Sequence, residues 1–144
     1  MLIHQILKNK TLAGVATVKP GSKVADAANL LSEKKIGAVI VSQDGVRPVG
    51  ILSERDIVSA LGKVGSGCLD QVVDDLMTSK LVTCAPGDRA IQVLQIMTER
   101  RFRHMPVMEG DEMIGLVSIG DVVKARLDEL SQQADALKNM IMGY

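Results

Sequence analysis

Apolar residues return along this chain with two different periods. Val24, Ala27, Ala28 and Leu31 fall at i, i+3, i+4 and i+7, one face of a helix. Ala90, Val93, Leu94 and Met97 repeat that face position for position. Pro20-Gly21 and Pro86-Gly87 signal a turn before each helix, and Ser22 and Asp88 stand where N-caps are expected. Lys34-Lys35 and Arg100-Arg101 close the two helices, where cations suit the helix dipole. Gly37 reads as the stop of the first. The period then changes. Ala38 to Val41 and Met105 to Met108 are short continuous apolar runs, the pattern of buried strands. Gln43-Asp44-Gly45 and Gly110-Asp111 are hairpin turns, so Val49 to Leu52 and Met113 to Val117 return as partner strands. Ser53 and Ser118 open two further helices, the first running to about Leu61.

The remaining segments also come in pairs. Gly14 to Val18 and Leu81 to Cys84 read as short strands. Met1 to Leu7 reads as one or two helical turns, and Asp74 to Thr78 resembles the turn near Ile6-Leu7. Asn9 to Ala13 is a polar loop, and Gly62 to Gly67 is the best linker. Each half therefore reads strand, helix, strand, strand, helix, at a constant offset but for one extra residue in the first hairpin. An internal duplication is the economical explanation. The expected fold is α/β (α+β): two β-α-β-β-α repeats packed with pseudo-twofold symmetry. Residues 1–67 form the first repeat with its N-terminal segment, 68–130 the second, and 131–144 a helical extension. Neither repeat alone buries enough apolar surface to be stable, so the two should pack as a pair.

The last helix outruns its counterpart. Val123, Leu127, Leu130, Ala134, Leu137, Ile141 and Tyr144 alternate in steps of four and three, a heptad seam. Such a stripe packs either on its own domain or on a second copy. The excess length favours a homodimer or higher oligomer.

Composition narrows the function. The 144 residues fit one domain or two very small intimate ones. They are 47% hydrophobic, enough for a core, with 17 basic against 17 acidic residues. That balance argues against nucleic acid or an anionic membrane as an obligatory partner. One Phe, one Tyr and no Trp leave no base-stacking surface for single-stranded nucleic acid. Cys68 and Cys84 are far apart, so reduced thiols and a cytoplasmic setting are expected. There is no apolar run of about 18 residues to span a membrane, and the N-terminus lacks a signal-peptide pattern.

One stretch carries chemistry in both halves. Gly50-Ile51-Leu52-Ser53-Glu54-Arg55-Asp56 recurs as Gly115-Leu116-Val117-Ser118-Ile119-Gly120-Asp121. Each is a strand end that turns into a helix. A carboxylate on the first helical turn offers two acceptors at a separation that suits the paired donors of a ribose cis-diol. The helix N-terminus suits phosphate, and the glycine permits a bend or the close approach of a ligand. The same Ser-x-x-Asp spacing also makes a capping box, in which the side chains serve only backbone donors.

The two Gly-x-x-Ser-x-x-Asp stretches, Asp75-Leu76-Met77-Thr78 and Arg103-His104-Met105-Pro106-Val107 together resemble a tandem pair of CBS domains, a Bateman module. The resemblance covers about Ile3 to Arg126. It is closer in the second repeat; in the first, Gly37-Ala38-Val39-Ile40 stands where the second has Arg-His-x-Pro. The resemblance implies an adenosine ligand in the cleft between repeats: AMP, ADP, ATP, NAD(H) or S-adenosylmethionine. It further implies pockets shared between repeats. One would join Ser53, Arg55 and Asp56 to Thr83, Cys84, Phe102, Arg103, His104, Met105 and Pro106. Arg103 is the phosphate candidate ahead of His104, as a planar multidentate donor. The other would join Ser118 and Asp121 to Thr17, Val18, Ile36, Gly37 and Ala38. It lacks a counterpart of Arg103, with Lys19 and Lys35 as substitutes. No Walker A loop, Gly-x-Gly-x-x-Gly, HExxH or metal-like His/Cys spacing is present, so no catalysis and no catalytic cofactor are expected. The expectation is an adenine-nucleotide sensor acting on an unknown partner protein, with an interaction scaffold carrying a vestigial pocket as the alternative.

Overall fold

A computed structural model describes residues 1–8, 10 and 14–143. Most of the polar loop expected at Asn9 to Ala13, and Tyr144 of the seam, lie outside the described residues. The chain runs α1 (Ile3–Leu7), β1 (Thr17–Val18), α2 (Val24–Lys34), β2 (Ala38–Ser42), β3 (Pro48–Ser53) and α3 (Glu54–Val64). After a 3₁₀ segment at Gly65–Asp70 come α4 (Val73–Leu76), α5 (Ala90–Arg100), β4 (His104–Glu109), β5 (Glu112–Ser118) and α6 (Ile119–Ile141). The duplicated α/β architecture is present, with the long C-terminal helix.

Each repeat is built on an antiparallel hairpin. Strand β2 pairs with β3 and β4 with β5, each with one irregularity near the turn. In the first repeat, β1 adds in parallel, Thr17 opposite Ile40. The strand expected at Leu81 to Cys84 shrinks to a single bridge between Cys84 and Val107. Strand β2 is buried along its whole length, as its unbroken apolar run requires.

The caps of α2 and α5 differ from expectation. Ser22 and Asp88 are not the N-caps; Lys23 and Arg89 occupy those positions. A distant backbone serves the donors instead. The Val24 N–H donates to the Gln71 carbonyl, and the Ala90 N–H to the Met1 carbonyl. Asp88 turns back to accept from the Ala85 N–H. Gly37 does not end α2 either. Lys35 does so in the left-handed conformation, φ 53°, and Arg101 repeats this after α5, φ 59°. The glycine-rich linker at Gly62 to Gly67 is helical: Gly62 lies within α3, and the 3₁₀ segment drives Cys68 into full burial.

Two cores result. One gathers Ala16, Val24, Ala27, Leu31, Val39, Val41, Leu52, Ile57 and Val73. The other gathers Val93, Met97, Met105, Val107, Val117 and Val122 with Ile3 and Ile6. Helix α1 thus packs in the core of the second repeat, and α4 in that of the first. The motif glycines make room for this docking. A Cβ at Gly50 would meet Met77 Sδ and lie 2.8 Å from its Cγ; one at Gly115 would lie 2.7 Å from Leu7 Cδ2. The close approach read from these glycines is therefore to a neighbouring side chain.

Helix α6 buries Val122 and Ala125. Its heptad residues point elsewhere: Leu127 is 61% exposed, Leu137 57% and Ile141 78%. The seam does not pack on its own domain.

Gly50→Ala should destabilise by about 1–3 kcal/mol through overpacking, read as a lower urea midpoint. In a double-mutant cycle, Met77→Ala should recover part of that loss.

Candidate functional site

The two motif stretches fold alike because the same bonds fix them. In α3, Ser53 caps the helix: its Oγ accepts from the Asp56 N–H at 3.3 Å, and Asp56 Oδ2 accepts from the Ser53 N–H at 2.9 Å. In α6, Ser118 Oγ accepts from the Asp121 N–H at 3.1 Å, and Asp121 Oδ2 accepts from the Ser118 N–H at 2.9 Å. Both are full capping boxes. A third bond ties each helix to the strand region beside it. The Glu54 N–H donates to the Gly37 carbonyl, and the Ile119 N–H to the Arg103 carbonyl. Of the first-turn donors of α3, only the Arg55 N–H has no protein partner among the described residues. The helix N-terminus is thus mostly closed to an anion. Each carboxylate spends Oδ2 on the cap. Oδ1 of both Asp56 and Asp121 has no partner among the described residues, so the cap leaves one oxygen of each carboxylate open to accept.

Two clefts open where these turns face the opposite repeat. The first is a cavity of about 480 Å³. It joins Ser53, Arg55 and Asp56 to Phe102, Arg103, His104 and Pro106, as the shared-pocket pattern requires. Thr83, Cys84 and Met105 do not line it. Thr83 is exposed elsewhere, and Cys84 and Met105 point into the core of the second repeat. Cys84 forms a single bridge, and Leu81 and Val82 line the cleft in its place. Burial, then Asp88 nearby, pushes the Cys84 thiol up to about 12, which keeps it protonated. Ile51, Glu54, Ser59, Thr78, Lys80, Arg100 and Arg101 complete the wall. Five cations face this cleft against two carboxylates, and none of the five forms an ion pair among the described residues.

The second cleft is a cavity of about 460 Å³ lined by Ile36, Gly37, Ala38 and Ser118, as expected. Thr17 and Val18 are held in β1 beside β2, and Gly14, Val15 and Ala16 line the cavity in their place. Leu7, Lys10, His104, Ile114, Gly115 and Leu116 form the rest. The cleft does contain a basic residue, and it is neither Lys19 nor Lys35. Lys10 donates to Asp121 Oδ2 at 2.5 Å and to the Leu116 carbonyl at 3.1 Å. Asp121 is not in the cavity wall itself; Lys10 stands over it. Burial pushes the Asp121 carboxyl up, but the bonds from Lys10 and Ser118 outweigh this and hold it below the ordinary range.

His104 and Gly37 line both clefts and form the wall between them. A Cβ at Gly37 would lie 3.0 Å from His104 Cε1, so a side chain at 37 would press on the imidazole. Burial, opposed by Glu54, lowers the His104 pKa, and the ring is neutral at pH 7. Lys10 and Lys80 were not legible as site residues. The signal was present, since Leu7 and Met77 occupy equivalent places and each lysine follows three residues later.

A tandem repeat of this build, with clefts shared between halves, defines a CBS pair. The family model described as CBS domain matches residues 11–63 and again 73–128, and the chain belongs to that family. A CBS-domain containing protein of Agrobacterium tumefaciens superposes with TM-score 0.82 at 40% identity, over 88% of this chain and 99% of that one. The CBS-pair protein CBSX2 of Arabidopsis thaliana gives 0.74 at 29% identity, over 88% and 96%. The mitochondrial CBS domain-containing protein CBSX3 of Arabidopsis thaliana is 36% identical over 83% of this chain, which spans 60% of that protein's length.

Because the His104 pKa is lowered in the fold, stability resting on the neutral ring is complete above the ordinary value of about 6.5. It is lost as pH falls through the lower folded value. Wild type should therefore lose more of its urea midpoint between pH 7 and 5 than His104→Gln.

Proposed function

We propose that this chain is a non-catalytic regulatory module that binds an adenine nucleotide in the first cleft. The observation that carries this is a cleft pairing the Asp56 carboxylate with five cations that form no ion pair among the described residues, beside Phe102. Asp56 Oδ1 accepts from the ribose diol, Phe102 offers an aromatic face to the base, and Arg103, Arg55 and Lys80 hold phosphate. The related CBSX2 has been crystallised in complex with AMP, which supports an adenine nucleotide here. The cation count favours a charged phosphate chain over an uncharged nucleoside, which makes AMP and ATP stronger candidates than S-adenosylmethionine. NAD(H) would need its second half to pass the wall of His104 and Gly37.

The exposed seam of α6 supports a homodimer through which binding is relayed to a partner protein. Beyond Glu129, no residue of α6 is buried. If the protein is instead a scaffold with a vestigial pocket, the seam alone carries its role. No helix among the described residues is long and apolar enough to cross a membrane.

AMP or ATP at about 100 times its Kd should stabilise the fold by about 2.7 kcal/mol, read as a raised thermal midpoint. Arg103→Ala should weaken binding about 10- to 100-fold, the loss of a charge-assisted bond. No shift with AMP, ATP or NAD(H), and none lost in Asp56→Ala, would sink the nucleotide reading. Truncation before Ser131 should abolish self-association in analytical ultracentrifugation while leaving AMP binding in place; self-association that survives it overturns the role of the seam.

A further inference from the structure

The two clefts hold equivalent lysines in different states. Leu7 lies over Gly115 and Met77 lies over Gly50, so the two docked segments correspond. Three residues beyond each stands a lysine, Lys10 in the second cleft and Lys80 in the first. Lys80 forms no ion pair among the described residues, and Asp56 accepts only from Ser53. Lys10 is folded onto the motif carboxylate and bonds both Asp121 and the Leu116 carbonyl.

We propose that Lys10 is the residue that decides which cleft takes a ribose, because it occupies the diol-binding carboxylate of the second cleft as an internal ligand. This rests on the nucleotide reading above and deepens it. A cis-diol brings two donors to the carboxylate, and the Lys10 ammonium, bonded to Oδ2 and standing in the cavity wall where Asp121 does not, bars the way to the open Oδ1. Displacing Lys10 breaks a charge-assisted bond and leaves its ammonium unpaired in a half-apolar cleft lined by Leu7, Val15, Ile36 and Ile114. In the first cleft no such exchange is needed. Asp56 is open, and Lys80 remains free to meet phosphate. A nucleoside therefore enters the first cleft at low concentration and the second only at much higher concentration.

The position is fixed by packing. Leu7 fills the space over Gly115, α1 is buried in the second core, and the Lys10 N–H donates to the Leu7 carbonyl. The ammonium is thereby delivered to Asp121 by the same segment that completes the core. Its side chain is 38% exposed, so replacing it leaves the core intact.

The test is a site-resolved NMR titration with adenosine, which carries the diol and base but no phosphate. In wild type, amide shifts at Ser53–Asp56 should reach half-saturation at least tenfold below those at Ser118–Asp121. Lys10→Met should lower the second midpoint at least tenfold and leave the first in place, while Lys10→Arg keeps the second high. Titrated with AMP, Lys80→Met should weaken binding at the first cleft, an effect opposite in sign to that of Lys10→Met. Equal midpoints in wild type, or a second midpoint that Lys10→Met leaves unchanged or raises, overturns the role of Lys10 while the nucleotide reading stands. No shift at either motif with adenosine or AMP overturns both.

Discussion

The site depends on one local constraint, the pinning of a helix N-terminus to the neighbouring strand region. Ser53 and Asp56 lock the first turn of α3 to the end of β3, and the Glu54 N–H ties it to the Gly37 carbonyl. The equivalent bonds hold α6 to β5 and to Arg103. Three bonds fix the direction in which Asp56 and Asp121 present their remaining oxygen. They also consume most of the first-turn N–H groups. The helix end therefore serves as a bracket for the carboxylate, and the cationic groups that the first cleft presents are side chains, Arg103, Arg55 and Lys80 among them. A cap of this kind is worth about 1 kcal/mol to a helix. Its larger value here is geometric, since it lets one side chain hold the fold with one oxygen and keep the other open.

Legibility followed locality. The helix faces, the hairpins and the paired motif were readable because periodicity and turn chemistry act within about ten residues. The caps at Ser22 and Asp88 were misplaced because the donors of α2 and α5 are served by Gln71 and Met1, partners remote in sequence. Those two bonds anchor the first N–H of each helix and leave Lys23 and Arg89, one residue beyond Ser22 and Asp88, in the cap positions. The same remoteness hid Lys10. Leu7 and Met77 align in the sequence, but only the fold shows that each crosses to the other repeat's glycine. The resemblance implies Thr83 and Cys84 as pocket residues, but it does not show which way each side chain points; Cys84 faces the second core, and Leu81 and Val82 line the cleft.

The asymmetry between the clefts comes from residues outside the repeated motif. Both motifs supply the same Ser and Asp in the same capping geometry. Arg100, Arg101 and Arg103 line the first cleft, whereas Lys34 and Lys35, the counterparts of the first two, do not line the second, and Gly37 stands where Arg103 would. Duplication supplied two equal brackets, and the facing strand decides what each can hold. Gly37 and His104 belong to both clefts, so a group that shifts the imidazole from one side alters the wall of the other.

The exchange of α1 and α4 between halves has a further consequence, for the order in which the chain is made and folded. The first core draws on residues 16–77, one continuous stretch, and has all its parts once Met77 emerges from the ribosome. The second needs Ile3 and Ile6 together with residues 84–125. Its amino-terminal piece is synthesised first and used last. Closing that loop across the first half is a high-contact-order step, and such steps are slow. Until it closes, the apolar face of α1 waits unpaired, exposed to any other chain that offers a second-repeat core.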